Sequence, residues 1–316
     1  VLGTTQTLTA MTSEQLRNYR DEYYVPNNIV YVAAGPIKHS NFVDLVEQHH
    51  GDREYSDFPE IEVPTYVGGA LYHEMESAQL CNVILAGEGA GQKDKDFFAF
   101  EVLETILSSG NSSPLSRKIV DELGLAPGIG AGNMANNNNG LFVAMAPVDA
   151  GNVRKFISTS YEVIKLAVDS ISEDVLEPVK SRIEMQTLSS IETNRQACDT
   201  YGRQMIDTGE ILTPAEICAK IQAVTIEDIK RAADRFLESN PTLSMVVPTG
   251  TDPDLLPDYD DVVALRDAAL NTASPAVPVP PAAGGSSKDK KKSGNKGTKT
   301  DTNGRAGATS SDQFTP

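Results

Sequence analysis

SSPLSRKIVDELGLAPGIGAGNMANNNNGLFVAMAP, residues 112–147, is the stretch that decides the fold class. Pro114 suits the first turn of a short helix reaching Leu123, since a first-turn residue has no intrahelical use for its N–H. Two runs of strand character follow, near 128–135 and 140–146, separated by the asparagine turn Asn136 to Gly140. Consecutive strands joined by a tight turn do not fit a doubly wound parallel sheet, where strands and helices alternate strictly. The expected fold is α+β, with antiparallel or mixed sheets and helices layered on one face.

The neighbouring sequence extends this pattern in both directions. Upstream lie strands near 67–73 and 79–86 and a helix from Lys93 to Ser109, whose Phe97, Phe98, Val102, Leu103 and Ile106 form one apolar stripe. Downstream, residues 152–169 have helical spacing, Ser172 is expected to cap a long helix, and a further helix leads to Gly209. Thr213-Pro214-Ala215-Glu216 is a capping box with proline at the first helical position, and Thr225 with Asp228 opens another helix. Asn240-Pro241 stops it, and Thr242 to Val247 reads as a last strand.

Nearer the start, Thr12 and Gln15 form a capping box for a helix to Tyr24. Asn28 to Ala34 (NIVYVAA) predicts a buried strand, and Ser40 is expected to cap a second helix. One strand and two helices cannot close a core, so 1–50 reads as the end of a first domain. The charged, proline-bearing segment 51–65 reads as a linker and 66–249 as a second domain. Beyond Thr249 periodicity fades: 250–273 reads as a C-terminal extension, and 274–316 as a disordered basic tail.

Charge is unevenly placed. From Ser274 on there are seven basic and three acidic residues, a net of +4, which leaves −21 on the rest of a chain whose net charge is −17. Such a body repels nucleic acid and attracts cationic peptides. Lys290 to Lys292 are read as part of a solubilising tail. The cysteines Cys81, Cys198 and Cys218 are odd in number and far apart, which suits a reducing compartment. No apolar run is long enough for a transmembrane helix. The opening residues resemble neither a signal nor a transit peptide, and Val1 is read as an internal start.

A zinc hydrolase needs imidazoles one helical turn apart and a carboxylate to activate water. The chain has four histidines, His39, His49, His50 and His73, and none stands in such a motif. His49 and His50, beside Glu47, point in different directions on a helix and chelate poorly. Gly128, Gly130 and Gly132 form G-x-G-x-G within a strand pattern, which is not a phosphate-binding fingerprint. The sequence therefore gives no catalytic residue and no metal ligand.

Four stretches taken in order carry a family resemblance. MTSEQLRNYRDEYYVPNNIVYVAAGPIKHSNFVDLVEQHH resembles the end of the first domain of pitrilysin-type (insulinase-like) peptidases. Residues 112–147 resemble the family's SRLFQEIREKRGLAYSV segment and the strand after it. Residues 201–237, YGRQMIDTGEILTPAEICAKIQAVTIEDIKRAADRFL, are similar to the GRQ-containing helical region of mitochondrial processing peptidase subunits and of the related core proteins of respiratory complex III. LLPDYDDV, residues 255–262, resembles the end of the beta, or core 1, branch. Ser109 to Ser113 holds a single glycine where the alpha subunit carries a glycine-rich loop.

The resemblance implies a processing-peptidase-like fold, a mitochondrial location and a related peptidase-like or core subunit as partner. It also implies association with a membrane complex without a transmembrane segment, and zinc in active members. Those members carry H-x-x-E-H in the first half of the first domain, which would precede Val1. They also carry a substrate-gripping arginine and tyrosine seven residues apart, and these align to Val120 and Pro127 here. Valine and proline cannot grip a substrate by charge or phenol. Arg117, three residues earlier, is read as facing elsewhere. Two expectations follow: a non-catalytic core or scaffold subunit, or the second half of a zinc peptidase that cleaves cationic presequences.

Overall fold

The computed structural model describes residues 3–52, 54, 55, 57 and 64–272. The segment expected to be a linker lies partly outside the described residues, and the tail from Ser274, with its lysine run, lies wholly outside them.

Three helices come first: α1 (Thr5–Ala10), α2 (Ser13–Tyr23) and α3 (His39–His50). Then come β1 (Gly69–Met75), β2 (Cys81–Gly89), α4 (Phe97–Ser108), a π-helical turn over Ser116–Glu122, β3 (Gly130–Ala135) and β4 (Gly140–Val148). Six elements complete the order: α5 (Val153–Asp169), α6 (Glu173–Ser189), α7 (Asn194–Thr208), α8 (Pro214–Ala223), α9 (Ile226–Glu238) and β5 (Thr242–Pro248). A last helix, α10 (Tyr259–Thr272), follows.

The strands form one mixed sheet in the order β1-β5-β2-β4-β3. β1 runs parallel to β5, with Leu71 opposite Ser244, and the other pairs are antiparallel, with Ile84 opposite Met145. The alternation of side chains explains the layering. Val83 and Leu85 of β2, Phe142 of β4 and Leu243 of β5 are buried against α4, α5 and α9, whereas Ile84, Leu141 and Met145 on the other face stay partly exposed. The core centres on Phe142, whose ring lies 5.6 Å from Phe100 of α4 and 5.2 Å from Phe236 of α9. Tyr161 of α5 stacks on Phe236 at 5.7 Å. Gly87 is needed for this approach: a Cβ there would stand 2.6 Å from the Phe236 ring.

Three expectations change. Residues 29–34 form no strand and are not buried; Val30 is 40% exposed. A strand needs a neighbour for its backbone groups, and among the described residues none pairs with this segment. One side of it rests on α7, where Gly202 leaves room for Val32. Ser40 does not cap α3; Lys38 holds the cap position and gives no side-chain bond. The extension after Thr249 is not aperiodic. Val262, Leu265 and Ala269 of α10 recur at helical spacing, and α10 packs along α5 with Val262 and Ala269 buried.

Candidate functional site

Val120 and Pro127, the two positions expected to align with a substrate grip, lie on and just after the π-helical turn. Leu115 and Ile119 of that region are fully buried and anchor it to the core. The wide turn shows in its bonds: the Leu123 amide donates to the Lys118 carbonyl at 3.1 Å and the Leu125 amide to the Ile119 carbonyl at 2.9 Å. Gly124 then takes a left-handed φ of +58°, which lets the chain reverse while Leu125 and Ala126 turn inward. Val120 is half-buried and Pro127 exposed.

Arg117 is engaged in an ion pair on its own turn. In a regular α-helix, residues three apart share a face. Here the helix is widened, and Arg117 Nε turns to Glu122 Oε1 at 3.3 Å, while Lys118 Nζ approaches Glu122 Oε2 at 3.0 Å. The bonds from Lys118 and the charge of both cations hold the Glu122 carboxyl below the usual carboxylate range. This is a surface ion cluster closed on itself.

Two half-buried acids, Glu101 and Glu104, lie one turn apart on α4, and Glu104 faces β3. Sequence reading missed them, although a pair of glutamates at i, i+3 in the otherwise apolar FFAFEVLETILS is the signal that would have found them. Glu104 accepts a hydrogen bond from the Asn133 amide at 3.0 Å. Burial, then the neighbouring Glu104, pushes the Glu101 carboxyl up to about 7. Asn133 in turn clasps Ala90: its Oδ1 accepts from the Ala90 amide at 3.1 Å and its Nδ2 donates to the Ala90 carbonyl at 2.9 Å. The group fastens α4, β3 and the end of β2, and it contains no nucleophile and no base aimed at open space.

The other charged clusters are also fastenings. Arg231 Nε meets the buried Asp96 at 3.0 Å, and Arg235 meets Glu88 at 3.0 Å, tying α9 to the β2–α4 connection. Removing one partner of such a half-buried pair leaves the other uncompensated.

The donor set does not fit zinc. His49 and His50 close α3, and the His50 ring lies 5.3 Å from that of Tyr31 with its Nδ1 buried and without a partner. His73 is exposed on β1, remote in sequence from any second imidazole. Among the described residues, no group of three histidine, cysteine or acidic side chains converges as a metal site. Nor is any described helix long and apolar enough to cross a membrane. The three cysteines are free, with Cys81 buried.

With this geometry in view, comparison with known proteins identifies the family. The family description "Peptidase M16 inactive domain" matches residues 10–183. The chain belongs to the M16 peptidase family. It is 30% identical over 258 residues to mitochondrial-processing peptidase subunit alpha-2 of Dictyostelium discoideum, which covers 75% of this chain and 54% of that protein. It is 25% identical over 256 residues to the beta subunit from Lentinula edodes, again covering 75% and 54%. Among solved structures it shares the fold of a chain in complex III2 from Candida albicans with Inz-5 bound. The TM-score is 0.73 at 18% identity, covering 84% of this chain and 65% of that one. The M16 chain thus spans about half the length of its two named relatives.

Proposed function

We propose that this M16 chain is a non-catalytic core or scaffold subunit that pairs with a related peptidase-like subunit in a mitochondrial assembly of the processing-peptidase or complex III core type. The observation that carries the reading is the pair Val120 and Pro127 at the aligned grip positions. One is half-buried and the other exposed, and neither offers a charge or a phenol. The histidines, scattered as they are, supply no metal set to compensate. A partner is supported by the apolar surface of the first fifty residues, where Leu8, Leu16, Tyr19, Tyr24 and Leu45 are all exposed. The single glycine of Ser109–Ser113 disfavours the alpha branch.

A second reading has its own support. The M16 chain covers about half of each named relative, so it also fits the second half of a working zinc peptidase, with the zinc site upstream of Val1 or on a partner chain. Its acidic body would then hold cationic presequence peptides. One experiment separates the two. The complete protein is purified with its natural partner and tested on an arginine-rich presequence peptide, with zinc counted per subunit. The scaffold reading expects no zinc in this subunit, and unchanged cleavage by the assembly when Val120 and Pro127 are replaced by alanine. Zinc held by this subunit, or cleavage that falls with those replacements, supports the peptidase instead.

A further inference from the structure

β3 is the last strand of its sheet, and side chains of α4 take up its outward backbone groups. Glu104 accepts from the Asn133 amide and Ser108 Oγ donates to the Ala131 carbonyl, each at 3.0 Å. Gly132, between them, leaves room for this approach: a Cβ there would stand 3.3 Å from Glu104 Oε2. Behind the contact, Asn133 clasps Ala90 just past β2. The hairpin turn holds the same connection, since the Asn136 and Asn137 carbonyls accept from the Gln92 and Lys93 amides at 2.8 and 3.1 Å. One carboxylate thus stands at the head of a chain of contacts that runs from α4 through β3 to the β2–α4 connection.

Glu104 does not stand alone. Glu101 lies one turn before it, half-buried, and among the described residues the charge that bears on it is that of Glu104. β3, GAGNMA, carries no titratable side chain. On the helices packed against α4 the cations are engaged elsewhere. Arg231 and Arg235 of α9 bind acids of the β2–α4 connection, Lys220 of α8 lies over the Phe98 ring, and Lys180 of α6 donates to the Gln222 carbonyl. Arg182 of α6 reaches towards Gly110, past the end of α4. Two carboxylates one turn apart in such a place repel each other when both are ionised. The Asn133 bond favours the charged form of Glu104, so the proton stays on Glu101.

We propose that Glu101 and Glu104 form a proton-operated latch that holds the edge strand β3 against α4. With the proton on Glu101, Glu104 meets no competing charge and keeps its bond to Asn133. When Glu101 gives that proton to water, the two carboxylates repel, Glu104 swings out to solvent and the Asn133 amide is released. The Glu101 carboxyl titrates at about 7, so the latch is closed at pH 6 and loosened at pH 8. The opening is local, because Phe100, Leu103 and Leu107 on the core side of α4 stay buried. The latch uses only α4, β3 and the connection they hold, so it stands whether the M16 chain is a scaffold or half of a peptidase.

The test is amide hydrogen exchange on the full chain at pH 6 and pH 8, corrected for the base dependence of exchange itself. The Asn133 amide donates to Glu104, so its protection follows the latch directly. That protection is expected to fall about tenfold between the two conditions, the change that one carboxyl titrating near the midpoint imposes. The fall should not depend on dilute urea, which marks a local opening. Glu101→Gln and Glu104→Gln each keep the shape and remove one charge, and in both the Asn133 amide should be equally protected at the two pH values. An Asn133 amide indifferent to pH in the unaltered chain would overturn the proposal, since Glu101 would then turn to water by itself. So would a fall that persists in Glu101→Gln, or one that grows with urea as the core amides of α9 do, which is global unfolding.

Discussion

Residues 3–52 and residues 64–272 are built with the same local devices and reach opposite ends. Thr4 and Thr12 cap α1 and α2 with reciprocal boxes as complete as those of Thr213 and Thr225 at α8 and α9. Yet before residue 53 only Val25 is buried among the described residues, whereas α9 alone buries Ile229, Ala232, Ala233, Phe236 and Leu237. Capping is a local event, completed within a few residues. Burial depends on what else is present. The first region leaves much of its apolar inventory exposed, which accords with the division we propose between residues 1–50 and a second domain over 66–249.

The contrast can be broken most directly in the core. Phe236→Ala removes a ring that touches both Phe142 and Tyr161 and should cost about 3–5 kcal/mol in chemical denaturation. Leu16→Ala, on the exposed face of α2, should change stability by less than about 0.5 kcal/mol. Comparable losses at both sites would mean that the first region shares the core.

Glu101 gives a smaller, pH-dependent test. Its carboxyl titrates near 7 in the folded protein against 4.5 when free. The folded state therefore binds the proton more tightly, and stability is highest at or below pH 4.5 and falls as pH rises towards 7. Glu101→Gln removes the charge but not the shape. It should raise stability by roughly 2 kcal/mol at pH 8 and hardly at all at pH 4. A variant that gains equally at both would show that the carboxyl is not held neutral.

The caps sharpen the comparison at the lowest amplitude. Thr225→Ala should lower global stability by about 1 kcal/mol, because α9 is part of the core. Thr12→Ala should loosen α2 with no change in the main transition, visible only as faster amide exchange there. Limited proteolysis should likewise cut before residue 64 well before it cuts between 69 and 248.

Much of this was legible in the sequence because it is local. The boxes at Thr12, Thr213 and Thr225, the hairpin around Asn136 and the stripe of Phe97 to Ile106 all follow from spacing within one element. What failed depends on distant residues. NIVYVAA has strand composition, but composition cannot supply a neighbouring strand. The parallel pairing of β1 with β5 joins Gly69 to Thr242 across most of the chain, and no short window carries it. α10 was hidden behind Asp258 to Asp261, although Val262, Leu265 and Ala269 kept helical time. Among candidate site residues, Val120 and Pro127 come from resemblance alone, with no local pattern to mark them. The half-buried pair Glu101 and Glu104 emerges only once α4 meets β3.

Native mass spectrometry of the complete protein isolated from its source, with zinc counted per subunit, tests the scaffold reading most directly. The account predicts a stable hetero-oligomer with a related peptidase-like subunit, in which this subunit holds no zinc. A monomer that holds one zinc and cleaves a presequence peptide by itself would contradict it.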